Sequence, residues 1–113
     1  ENGKINEVVY DVICSDDREI NNRNNKCKET KASVNFENCS FDENYGSDRL
    51  EVIWTDTEYT PDQNTFYYAR AIENPTCRWS TYDSIRIDEK PAKNYPKIMR
   101  EMAWSSPIWI KNN

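Results

Sequence analysis

Four cysteines and no histidine, in a chain of 113 residues, constrain this sequence more than any other feature. The cysteines are Cys14, Cys27, Cys39 and Cys77. No two of them form a CxxC pair, and without histidine none of the usual mixed zinc sites can be assembled. An even count in a small polar chain reads as two disulfides formed in an oxidising compartment. The need for staples follows from composition. Only 36% of residues are hydrophobic, 31% are charged, and the mean hydropathy is -1.04. So lean an interior needs covalent cross-links or a neighbouring domain. Four cysteines allow three pairings. Cys14–Cys27 and Cys39–Cys77 are favoured. The first closes a polar loop that has little else to hold it, and the second ties the region of Cys39 to the segment that follows Ala71.

The chain is not disordered by composition, because it carries 4 Trp, 7 Tyr and 3 Phe, and disordered segments are poor in aromatics. The net charge is -5 and the pI about 4.8. An acidic chain without a basic stripe repels phosphate backbones, so a nucleic-acid partner is not expected. No apolar run approaches the length of a membrane span. The sequence starts at Glu1 without Met or a signal peptide, which suggests that processing removed what came before.

Along the chain, residues 7–14 (EVVYDVIC) read as a strand. Residues 15–29 form a long loop loaded with Asn and Asp. A short strand over 32–36 and a turn over 37–47 follow, the latter carrying Gly46. Residues 50–54 alternate, with Leu50, Val52 and Trp54 on one face. Residues 65–72 (TFYYARAI) give the strongest strand signal. Residues 75–95 read as irregular, broken by Pro75 and Pro91. Asn94 and Pro96 suit the start of a short helix near 96–103, with Ile98, Met99 and Met102 on its buried side. Residues 107–111 close the sequence as a strand with Pro107 at its start. This is a mostly-β pattern of short strands and turn signals, without repeats or an internal boundary, and it points to a sandwich-like architecture.

The second half carries a resemblance. FYYARAIENPTCRWSTYD (66–83) and AWSSPIWI (103–110), with VVYDVICSDD (8–17) and Cys27 upstream, resemble the carboxy-terminal end of the bacterial domain-of-unknown-function family thirty-six-oh-four. Its members are large, usually exported proteins, similar over their amino-terminal region to PHP-type metal-dependent phosphoesterases. The resemblance implies a single carboxy-terminal β-domain over 1–113 whose first strands precede Glu1. It also implies that an upstream PHP-like domain is its partner. On this view 66–72 and 106–110 pair as the last strands of a partial or complete immunoglobulin- or fibronectin-like sandwich. The family's metal ligands lie in the amino-terminal region, so none transfers to this chain, and no cofactor is expected.

No constellation in the chain makes a convincing active site. Ser80, Ser105 and Ser106 lack a histidine base. Asp56, Glu58 and Asp62 share a loop, but their spacing fits no EF-hand. Arg78 is suited to hold a carboxylate, with Asp83 or a backbone carbonyl as its structural partner. Trp79, Tyr82, Trp104 and Trp109 are candidates for a binding platform, weighed against burial in a core short of aliphatics. The leading expectation is a non-catalytic accessory domain of a periplasmic or extracellular metallohydrolase-like protein. The alternative is an extracellular glycan- or peptide-binding module. Its contact residues would be Arg78, Trp79, Tyr82 and Trp109, and it is distinguished by whether those rings are exposed.

Overall fold

The computed structural model describes residues 3–90 and 95–112. Its elements in chain order are β1 (Ile20–Asn21), β2 (Lys26–Cys27), β3 (Thr65–Tyr67), β4 (Arg70–Ile72), β5 (Thr76–Cys77), α1 (Trp79–Arg86), β6 (Ile98–Met99), β7 (Met102–Trp104) and β8 (Ile108–Ile110). Every strand pairing is antiparallel, and each forms a two-stranded sheet: β1 with β2, β3 with β8, β4 with β7 and β5 with β6.

The last three pairings are successive parts of one long ribbon, in which residues 65–77 run against 98–110. Thr65 faces Ile110, Arg70 faces Trp104 and Cys77 faces Ile98. Two bulges interrupt it. Between the Tyr67–Ile108 and Arg70–Trp104 pairs, Tyr68 and Ala69 oppose Ser105, Ser106 and Pro107. Between Ile72–Met102 and Thr76–Met99, Glu73, Asn74 and Pro75 oppose Arg100 and Glu101. One strand gains a residue at the first bulge and the other gains one at the second, so the register recovers. A proline sits in each extra residue's stretch, where the ladder does not need its missing N–H. Side chains brace both irregularities. Ser105 Oγ accepts the Ala69 N–H at 2.8 Å while Ser105 N–H donates to Ala69 O at 2.9 Å. Arg100 Nε donates to Glu73 O at 2.8 Å.

The strand expected over 65–72 is therefore present but split, and its pairing with the last strand is found as Phe66 opposite Trp109. Other expectations need correction. The helix near 96–103 does not form: its residues carry β6 and β7, and Ile98, Met99 and Met102 are exposed rather than buried. The spacing that suggested a helical face is overridden by pairing with β4 and β5. The proposed cap Asn94 lies outside the described residues. The helix lies instead in the stretch read as irregular. WSTYDSIR is a weak helix former, and α1 has no side-chain N-cap. It is tied to the ribbon by Thr81 Oγ1 donating to Lys97 O at 2.8 Å, while Ser84 Oγ donates within the helix to Thr81 O at 2.9 Å. Pro75 and Pro91 flank the helix rather than fall within it.

Residues 7–14 and 50–54, both strand-like by composition, enter no ladder among the described residues. Residues 32–36 contribute one bridge, Val34 to Phe41. The polar loop contains a hairpin, β1–β2, whose turn exploits its asparagines. Asn25 adopts φ 54°, a region asparagine tolerates. Asn21 Oδ1 and Asn24 Oδ1 accept the N–H groups of Arg23 and Lys26. Gly46, at φ 102°, donates its N–H to the Asp16 carboxylate. A β-carbon there would lie 2.8 Å from Asn74 Nδ2, so this turn fits against the ribbon only as glycine.

Both favoured disulfides are formed. Cys14 and Cys27 have α-carbons 6.0 Å apart, and Cys39 and Cys77 5.7 Å apart. Cys39 and Cys77 are the buried hydrophobic residues, accompanied by buried Thr81, Ser84 and Ser15. The interior of the described residues is thus centred on the cross-link that ties Cys77 of β5 to the Cys39 turn. No closed sandwich is formed by the described residues. The radius of gyration is 18.8 Å, against about 13 Å for a compact chain of this length. The accessible surface is 10126 Å², about 3,600 Å² more than a folded monomer of this mass exposes.

Candidate functional site

The ribbon presents both of its faces to solvent. In β4, β7 and β8 every residue is exposed, although successive side chains of a strand point to opposite sides. A single two-stranded ribbon is marginal in water, and its outer edges carry unpaired backbone groups that can template another strand. Beside the ribbon lies an open trough of about 3000 Å³, bounded among others by Val8, Trp54, Tyr67, Ile72 and Ile108. That is several times the 300–1,000 Å³ typical of small-molecule pockets.

The expected platform residues are exposed. Trp79 is 66% exposed, Tyr82 47%, Trp104 59% and Trp109 64%. The expectation that a lean core would draw the rings inside is overturned, because no core of that size exists here. The four rings are also spread out. Trp79 and Tyr82 lie on α1, Trp104 on β7 and Trp109 on β8. Trp109 packs on its cross-strand partner Phe66 at 5.1 Å between centroids, and Phe66 lies near-parallel to Tyr68 at 6.3 Å. Arg78 does not pair with Asp83. Its guanidinium sits 5.4 Å over the Tyr95 ring, and Asp83 is held by Arg86 at 3.2 Å. The unforeseen helix is the reason, since it places Asp83 and Arg86 one turn apart.

A second cluster was not anticipated. Tyr10, Trp54 and Tyr67 meet at the trough, with Tyr10 5.3 Å from Trp54 and Trp54 6.5 Å from Tyr67 between centroids. Tyr67 Oη donates to Asp56 Oδ2 at 2.7 Å, and Tyr10 Oη to Glu58 Oε2 at 3.2 Å. Asp56 also accepts the Glu58 N–H at 2.9 Å. The Asp56 bond pushes the Tyr67 phenol up to about 12 and holds the Asp56 carboxyl below its ordinary value. Tyr68 donates similarly to Glu7, which raises its phenol. Asp56 and Glu58 of the acidic loop, whose spacing fits no EF-hand, are therefore tyrosine acceptors. The available sequence signal was the spacing itself: Trp54, Asp56 and Glu58 alternate, and Tyr67 lies on the strongest strand.

Among the described residues no three His, Cys, Asp or Glu side chains gather as a metal site. Ser105 Oγ is committed to the bulge, accepting from Ala69 and donating to Ser106 O. Among the described residues no helix is long and apolar enough to cross a membrane. A family model described as "Protein of unknown function (DUF3604)" matches residues 1–112. No curated protein and no solved structure matches the chain.

Proposed function

The chain belongs to the DUF3604 family, and from that premise we propose that it is a non-catalytic binding module whose ligand is polypeptide, seated on the exposed aromatic ribbon. One observation carries the reading: a ribbon open at its faces and edges, in a chain exposing about 3,600 Å² beyond a compact monomer of its mass. Excess surface that includes large hydrophobic side chains such as Trp104, Ile108 and Trp109 marks an interaction surface. It exceeds several-fold the roughly 800 Å² that one partner contributes to a standard interface. An oligosaccharide stacked on one or two rings covers too little. A polypeptide satisfies the other requirement as well, because its backbone pairs with the free strand edges by strand addition. On this reading Trp109 with Phe66 forms one contact face, and Arg78, Trp79 and Tyr82 extend it at the helix end. The two disulfides support work in a periplasmic or extracellular setting.

A second source for that polypeptide is the same parent protein. The excess surface is of the size buried in permanent assemblies, which favours packing, as a carboxy-terminal β-domain, against a metal-dependent hydrolase-like domain. In that role the chain alone has no phosphoesterase activity with added divalent metals.

Tryptophan fluorescence separates the ligand classes, since all four tryptophans are exposed. Short peptides of alternating valine and threonine should shift the emission saturably, while a glycan panel should leave it unchanged. A response to glycans with none to peptides would overturn the proposal.

A further inference from the structure

The cluster of Tyr10, Trp54 and Tyr67 combines three ring faces with two carboxylates. Aromatic faces carry negative quadrupole potential, and Asp56 and Glu58 are hydrogen-bonded at the ring hydroxyls. The negative potentials therefore add at one place. At several other places the chain sets its own cations against rings and carboxylates. Arg78 covers Tyr95 and Lys97 covers Phe36. Asp11, Glu19, Glu51 and Asp83 pair with Lys26, Lys28, Arg49 and Arg86. Among the described residues no such cation is paired with Asp56 or Glu58, and none covers the three rings. The cluster is accessible: Trp54 is 41% exposed, Glu58 is exposed, and all five residues border the trough.

We propose that this cluster seats a basic side chain, arginine or lysine, carried by the polypeptide that the ribbon binds. The inference rests on the polypeptide reading and narrows it to a basic ligand. Charge complementarity supports it at two levels. Locally, a cation above the rings gains cation–π attraction and a carboxylate partner together. Globally, the chain's net charge of -5 favours approach of a basic segment. The position also fits. Tyr67 is a residue of β3, and Trp54 packs against it. A strand laid along the trough beside β3 therefore brings one of its side chains to the rings.

The test uses the whole chain with both disulfides intact and three fluorescently labelled peptides of alternating valine and threonine. They differ at one central position, which is arginine, its neutral isostere citrulline, or glutamate. Anisotropy titration at low salt should show the arginine peptide binding about ten-fold more tightly than the citrulline peptide, and the glutamate peptide most weakly. The arginine advantage should shrink at high salt. It should also vanish in a chain carrying Asp56→Asn and Glu58→Gln, whose circular dichroism serves as the folding control. Equal binding of arginine and citrulline peptides by the unmodified chain would overturn the basic-ligand inference and leave the polypeptide reading standing. An arginine preference that survives in the doubly substituted chain would also overturn it. If none of the three peptides binds, the polypeptide reading falls and the inference with it.

Discussion

Replacing Cys39 and Cys77 together by alanine removes the cross-link between the two buried hydrophobic residues among those described. The two residues are 38 apart in sequence. Loop-closure entropy for such a span amounts to about 3.9 kcal/mol at room temperature, and for the 13-residue span of Cys14 to Cys27 to about 2.9 kcal/mol. The native side of the comparison widens the gap. Cys39 and Cys77 are each 3% exposed, so their truncation also leaves buried volume unfilled. The Cys14–Cys27 bridge holds a hairpin that keeps other ties, including Cys27 N–H to Asp11 Oδ2 at 2.7 Å. A small domain has only about 5–15 kcal/mol of net stability, so the Cys39–Cys77 loss should consume most of it. Urea unfolding, followed by tryptophan fluorescence and far-ultraviolet circular dichroism, compares the two double-alanine variants with the parent. The Cys14/Cys27 variant should keep a cooperative transition at lower urea. The Cys39/Cys77 variant should be largely unfolded without denaturant. Equal stability of the two variants, or a larger loss from Cys14 and Cys27, would refute the reasoning.

Other expectations concern single bonds. Ser105→Ala should cost about 1 kcal/mol in urea unfolding, because the Ala69 N–H loses its acceptor in the bulge; an unchanged midpoint would show that water replaces the bond freely. Thr81→Val should cost about 0.5–1.5 kcal/mol, since Lys97 O loses one of its two donors and keeps the Arg78 N–H, and the loss should appear as faster amide exchange in α1. The Asp56–Tyr67 bond predicts a pH dependence at both ends. Asp56 has a lowered folded-state value, so its contribution is present above the ordinary carboxylate range and is lost as pH falls through that lowered value. Tyr67 has a raised one, so its contribution is complete below the ordinary phenol range and is lost as pH rises through about 12. Tyr67→Phe should flatten both limbs of the urea-midpoint profile, and spectrophotometric titration should lose a phenol ionising near that upper value.

Legibility in the sequence followed the range of the forces involved. The disulfide pairing was readable because a lean composition leaves few alternatives for holding residues 15–29. The pairing of the segments 66–72 and 106–110 was implied by the family resemblance, and the structure adds its register, Phe66 opposite Trp109. The helix was not readable, because WSTYDSIR lacks helix-forming residues and depends on Thr81 reaching Lys97 across the fold. The false helix near 96–103 arose from a spacing of Ile98, Met99 and Met102 that suits either structure. Pairing with residues 70–77, far away in sequence, decided it. The aromatic residues were expected inside on the assumption that the chain folds around its own core. With the apolar segments 7–14 and 50–54 outside any ladder among the described residues, that assumption failed, and the candidate surface came into view only with the fold. Tyr10, Trp54 and Tyr67 are distant in sequence, so only the structure brings their rings together.

Amide hydrogen exchange on the isolated chain, read residue by residue, tests the central claim most directly. An open two-stranded ribbon protects alternate amides along 65–72 and 102–110, those facing the partner strand, and leaves the outward set fast. Ser105 and Glu73, whose N–H groups bond across the ribbon to Ala69 O and Glu101 O, belong to the slow set. Residues 8–13, apart from Asp11 whose N–H donates to Asn25 O, and residues 50–54 should exchange fast, and adding the arginine peptide should slow outward amides of the ribbon. Uniformly slow exchange across both sets and both segments in the chain alone would contradict the account, because it would mean that the edges are already occupied within a closed core.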